Sequence, residues 1–100
     1  MNYTTTLDIA QDYIDNTVLG EDCYSNSRAE AKTCTDKFLK LEAEKFTVKF
    51  EVLDYFGPGG GNPYIRVTGT KENLEKYLID GYCGGDKDDA QFYLDDIKQI

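Results

Sequence analysis

The sequence contains no histidine, which removes the commonest route to nucleophilic catalysis, since neither a Ser-His nor a Cys-His pair can be assembled. What remains with chemical potential is 19 carboxylates, three cysteines and one glycine-rich stretch. Two carboxylates can divide the work of general acid and general base. Most acids here, however, fall at expected helix caps or on polar helix faces, where a solvated carboxylate is the ordinary state. Cys23, Cys34 and Cys83 are widely spaced with no Cys-x-x-Cys pair. A zinc site would need a fourth ligand, so they read as reduced thiols acting as small buried hydrophobes. The run Gly84-Gly85-Asp86-Lys87-Asp88-Asp89 opens like a calcium loop and then departs from one, with Gln91 where glycine is needed and Ile97 where the closing glutamate belongs. The stretch GPGGGNP over 57–63 offers bare backbone N–H groups to an anion. It nevertheless lacks the Lys and Ser or Thr of a phosphate loop and runs from strand to strand. No cofactor or metal is therefore expected, and the stretch reads instead as a mobile hairpin tip suited to partner contacts, with Tyr55, Phe56 and Tyr64 near its base.

The carboxylates are unevenly placed. The formal charge of −8 collects in the first and last segments of the chain. Residues 1–24 carry Asp8, Asp12, Asp15, Glu21 and Asp22 with no Lys or Arg, while residues 80–100 carry Asp80, Asp86, Asp88, Asp89, Asp95 and Asp96 against Lys87 and Lys98. The segment between them is nearly neutral, so the three parts have net charges of −5, +1 and −4. Such a balance repels nucleic acid and anionic membranes and attracts a basic partner at low salt. The first residues, MNYTTTLDIAQDYID, show no basic stretch followed by an apolar one, which argues against secretory or mitochondrial targeting and for a cytoplasmic protein. No apolar run approaches the roughly 20 residues that span a bilayer.

The elements that must position these groups are those of one α+β domain covering residues 1–100. Leu7, Ala10, Ile14 and Val18 recur at helical spacing and predict a helix over 6–19, capped by Thr6 and stopped by Gly20. A second helix begins near Ser27 and runs to about residue 44, with Ala31, Cys34, Phe38 and Leu41 on one face; Thr33-Cys34-Thr35 has poor helix propensity, and Thr35 is an alternative cap for a shorter helix. Phe46, Val48, Phe50 and Val52 alternate with polar residues and predict a strand. A second strand covers 64–68, antiparallel to the first. Thr70 caps a helix that buries Leu74, Tyr77 and Leu78 before Gly81 and the Gly84-Gly85 pair end it, and Asp86 caps a last helix aligning Ala90, Tyr93, Leu94 and Ile97. Two strands alone are marginal. The expected architecture is about four helices packed on one face of a small antiparallel sheet, with a possible third strand over Asn2–Thr6.

Most of the eight tyrosines and five phenylalanines are expected in the core. Those left exposed beside carboxylates suit a protein interface, where tyrosine is enriched. They do not suit nucleic acid, which requires a basic groove as well. Through Asp8, Asp12, Asp15, Glu21, Asp22, Asp86, Asp88, Asp89, Asp95 and Asp96 the chain resembles, in general character, small phage-encoded inhibitors of host defence or nucleic-acid enzymes, many of which imitate DNA. The resemblance is compositional and implies a non-enzymatic inhibitor or adaptor. Its carboxylates would take the place of phosphates in the basic surface of a nucleic-acid-binding protein, without direct contact to nucleic acid or membrane. The alternative is a structural or regulatory module that self-associates or docks through its glycine-rich hairpin tip.

Overall fold

The computed structural model describes residues 2–57 and 61–100. Its elements are β1 (Tyr3–Asp8), α1 (Gln11–Leu19), α2 (Arg28–Phe46), β2 (Lys49–Asp54), β3 (Tyr64–Gly69) and α3 (Lys71–Lys76). A π-helical turn (Tyr77–Tyr82), α4 (Lys87–Leu94) and β4 (Lys98–Gln99) complete the chain. The fold is α+β, as its sequence pattern requires.

All strand pairings are antiparallel and the order across the sheet is β2-β3-β1-β4. β1 thus has neighbours on both sides, pairing with β3 from Tyr3↔Gly69 to Asp8↔Tyr64 and with β4 at Tyr3↔Gln99 and Thr4↔Lys98. Its β-branched run Thr4-Thr5-Thr6 favours an extended chain, and Thr5, Leu7 and Ile9 are buried in strict alternation. The third strand is therefore present and longer than expected. The helix expected from Thr6 instead begins at Gln11, because long-range pairing with β3 holds Leu7 in the strand. With no side-chain cap at Ala10, the Gln11 N–H finds its acceptor in Asn62 Oδ1 at 3.1 Å.

α2 is continuous through Thr33-Cys34-Thr35. Both threonine hydroxyls donate to carbonyls one turn back, Thr33 to Ala29 at 3.1 Å and Thr35 to Ala31 at 2.9 Å, so each is satisfied inside the helix rather than in a competing non-helical conformation. Ser27 caps the helix by accepting from the Glu30 N–H. The strand expected from Phe46 starts later, since Phe46 ends α2 and Thr47 reverses the chain in the left-handed region at φ 56°. Beyond Thr70, which caps α3, the helix does not stop at Gly81. It widens into the π turn, in which the Cys83 N–H reaches back to the Leu78 carbonyl at 3.0 Å. α4 has the expected Asp86 cap but ends at Leu94, short of Ile97, and the chain re-enters the sheet as β4.

One face of the sheet supplies Leu7, Ile65 and Val67 to a core completed by Ile14, Phe38, Leu74, Tyr77 and Leu78 from the helical layer. The other face carries polar side chains, including Thr4 bonded to Thr68, Tyr64 bonded to Thr6, and the Arg66–Glu51 ion pair. Tyr77 ties three elements together, its ring meeting Phe46 of α2 and Phe50 of β2 edge-on at 5.4 and 5.2 Å. Among the described residues no helix is long and apolar enough to cross a membrane. Thr47 is exposed and pays a left-handed strain that glycine does not. Thr47→Gly is accordingly expected to raise stability by about 0.5–1 kcal/mol in chemical denaturation.

Candidate functional site

The β1–β4 pairing joins the first and last residues of the chain, at Tyr3–Thr4 and Lys98–Gln99. At the carboxyl end of β1, Asp8 stands at the mouth of a cleft of about 800 Å³ bounded by α1, the π turn and α4, with Asp89 from the first turn of α4 also lining it. Six aromatic rings form its walls: Tyr13, Phe38, Tyr77, Tyr82, Phe92 and Tyr93. They are arranged edge to face, Tyr13 on Phe38 at 5.6 Å, Tyr82 on Tyr93 at 4.8 Å and Phe92 on Tyr93 at 5.3 Å. Tyr13 and Phe92 remain 51% and 72% exposed, so part of this aromatic surface faces solvent.

The backbone explains how so many rings converge. The π turn carries both Tyr77 and Tyr82 toward the cleft, and the Tyr82 hydroxyl donates to the Asp8 carbonyl at 2.6 Å, tying the turn to the end of β1. Gly81 sits between them because a Cβ there would lie 2.9 Å from both the Phe46 and Tyr77 rings. Burial raises the pKa of both phenols, helped at Tyr77 by the neighbouring Glu42 and at Tyr82 by its hydrogen bond with Tyr93. Burial also raises the Cys83 thiol, reinforced by Asp89 and Asp86. The cleft therefore presents neutral phenols and a neutral thiol around carboxylates, a lining that complements a cation. Among the described residues no group of three or more Cys, Asp or Glu is arranged to hold a metal ion.

The remaining residues singled out from the sequence are dispersed. Asp12 is exposed on α1, while Glu21 and Asp22 lie in the loop beyond it, after a helix roughly 13 Å long. Asp86 is occupied as the α4 cap, accepting from the Asp88 and Asp89 N–H groups, and Asp95 accepts from Gln91. Asp88 and Asp96 are exposed. Asp15 is a correction, since it is 2% exposed and offers no surface to a partner. It accepts from the Ser25 N–H at 3.0 Å, the Ser25 hydroxyl at 2.7 Å and the Gln11 amide at 2.9 Å, fastening the α1–α2 loop. Burial alone would raise its pKa, but these bonds and one from the Cys34 thiol outweigh that, and the pKa is lowered.

The aromatic residues near the hairpin tip are also separated. Tyr55 donates to Asp36 and lies under Lys32 Nζ at 4.9 Å, and Phe56 lies under Arg28 at 4.8 Å, so both are engaged by α2. Tyr64 belongs to the open sheet face. Of the tip itself, Pro58, Gly59 and Gly60 lie outside the described residues. Cys34 is buried as expected and Cys83 half-buried, whereas Cys23 is exposed and so is not the buried hydrophobe its composition suggested. The cleft escaped sequence reasoning because Phe38, Tyr77 and Tyr93 read as ordinary core positions. The available signal was the number of tyrosines.

No protein-family model matches the chain, and no curated protein or solved structure is significantly similar to it.

Two outcomes follow. Asp15→Asn is expected to cost about 2 kcal/mol at neutral pH, the scale of hydrogen bonds to a charged group. Because the folded pKa is lowered, the wild-type advantage is present above the ordinary value of 3.8 and is lost as pH falls through the folded value. Denaturation curves of the two proteins should therefore converge in acid. Gly81→Ala forces a methyl between two buried rings and is expected to destabilise by about 1–3 kcal/mol, read as a lower melting temperature.

Proposed function

We propose that this chain is a non-enzymatic protein-binding inhibitor or adaptor that captures cationic side chains of a basic partner in the cleft between α1, the π turn and α4. The observation that supports this reading best is the meeting of six aromatic rings with Asp8 and Asp89 around one cleft, part of it open to solvent. The face of an aromatic ring attracts a guanidinium or ammonium lying within about 6 Å of its centroid. The two carboxylates add Coulomb attraction, and both groups disfavour an anion. At longer range the charge of −8 draws a basic protein toward the chain and sets the salt dependence of encounter.

A nucleic-acid-binding protein is the partner class whose chemistry fits, because its groove already displays Lys and Arg to receive phosphates. Carboxylates held on this fold would occupy those cations and exclude the nucleic acid. The hairpin-tip reading draws less support, since Tyr55 and Phe56 are covered by cations of the same chain.

An NMR titration with an arginine-rich peptide, and with a glutamate-rich peptide as control, tests this reading. Shifts are expected at Tyr13, Tyr82 and Phe92 with the basic peptide only, and to weaken as salt rises. Phe92→Ala should lower affinity roughly fivefold, and the Asp8→Asn/Asp89→Asn pair should lower both affinity and its salt dependence. Shifts confined to other surfaces, or equal binding of the acidic peptide, would overturn the proposal.

A further inference from the structure

Among the described residues β2 is one edge of the sheet, with β3 on one side and no strand on the other. An open edge offers backbone N–H and C=O groups to another chain, and proteins commonly blunt it with charges or bulges. Here the pairing irregularity at Leu53, between Val52 and Asp54, disturbs only the carboxyl end of the strand. The segment Lys49-Phe50-Glu51-Val52 is left regular. Beneath it, Leu39 and Ala43 of α2 and the half-buried Phe50 and Val52 line an open groove. A strand added to β2 would lay its inward side chains over that groove.

We propose that the strand that fills this edge is β2 of a second copy of the same chain, paired antiparallel about a two-fold axis through Phe50. The argument is one of register. Directly opposed residues of antiparallel strands project to the same face, so a two-fold axis perpendicular to the sheet must pass through a residue that then faces its own copy. An axis at Lys49 sets two ammonium groups together, and an axis at Glu51 sets two carboxylates together. An axis at Val52 draws the irregular Leu53 into the pairing.

Only the axis at Phe50 places Lys49 of each copy opposite Glu51 of the other, twice over. On the groove side the same register opposes Phe50 to Phe50. Glu51 already accepts from Arg66 on the open face, so the second copy's Lys49 completes a cation–carboxylate–cation row across the junction. The segment is self-complementary in charge and in apolar pattern, a match that an unrelated strand would have no reason to share.

The electrostatics of the whole chain permit this approach. β2 and the α2 residues lining the groove belong to the middle segment of net charge +1, whereas β4, at the opposite edge, belongs to the final segment of net charge −4. Joining two β2 edges keeps the acidic final segment, with β4, outermost and yields a continuous eight-stranded sheet. This inference is independent of the cleft.

Sedimentation equilibrium of the wild type, of K49E, of E51K and of an equimolar mixture of the two variants tests it, with circular dichroism confirming that each variant is folded. The wild type is expected to dimerise. Each variant alone sets like charges together in both pairs and should dissociate roughly tenfold more readily. In the mixture, the acidic strand of K49E meets the basic strand of E51K, and a heterodimer should return. A monomeric wild type at the highest soluble concentration would overturn the proposal. So would a dimer indifferent to both substitutions, or a mixture that fails to associate while the folded wild type does.

Discussion

β1 is hydrogen-bonded on both sides, to β3 over six residue pairs and to β4 over two, and the placement of every other element follows from that central position. Closing β1 onto β3 brings together residues about sixty apart in sequence and orders much of the chain between them, an entropic cost that local helix formation alone does not offset. The burial of Leu7, Ile65 and Val67 beneath the helices supplies the compensating term. Pairing β1 with β4 then returns the last residues to the first. These two ends, distant in sequence, become neighbours as a by-product of strand order.

The helical layer responds to the same constraint. α3 begins as an ordinary capped helix, yet a regular continuation would present Tyr77 and Tyr82 with different spacing. Widening by one residue per turn lets Tyr77 sink between Phe46 and Phe50 while Tyr82 reaches the Asp8 carbonyl. Helical widening of this kind is often found where a protein binds something. The packing of one ring and the exposure of the cleft are therefore set by the same local distortion, and Gly81 is the residue that allows it.

Much of this architecture was legible from residues alone, and the exceptions have definite causes. The antiparallel β2–β3 pair announced itself by two-residue alternation, α4 by its Asp86 cap, and α3 by Thr70. The helix expected over 6–19 starts only at Gln11, because the apolar spacing of Leu7, Ala10, Ile14 and Val18 fits a helix locally, while the identity of Leu7's strand partner, Ile65, is information held far away in the chain. The end of α2 was hidden because threonine, not glycine or asparagine, occupies the left-handed position. β4 has two polar residues and no pattern of its own. The acidic and aromatic composition pointed toward a binding surface, but composition cannot distinguish Asp8, at the cleft, from Asp15, which is consumed in holding a loop.

Strand order also sorts the charge of the chain between the two margins of the sheet. One margin is built from residues whose charges nearly cancel, the other from a segment rich in aspartate. A single chain so arranged carries an electric dipole lying across its strands, and a positively charged body nearby exerts a torque on it. The molecule would turn its acidic margin forward while still separated from that body by a layer of water. Added salt would shorten the distance over which this turning acts.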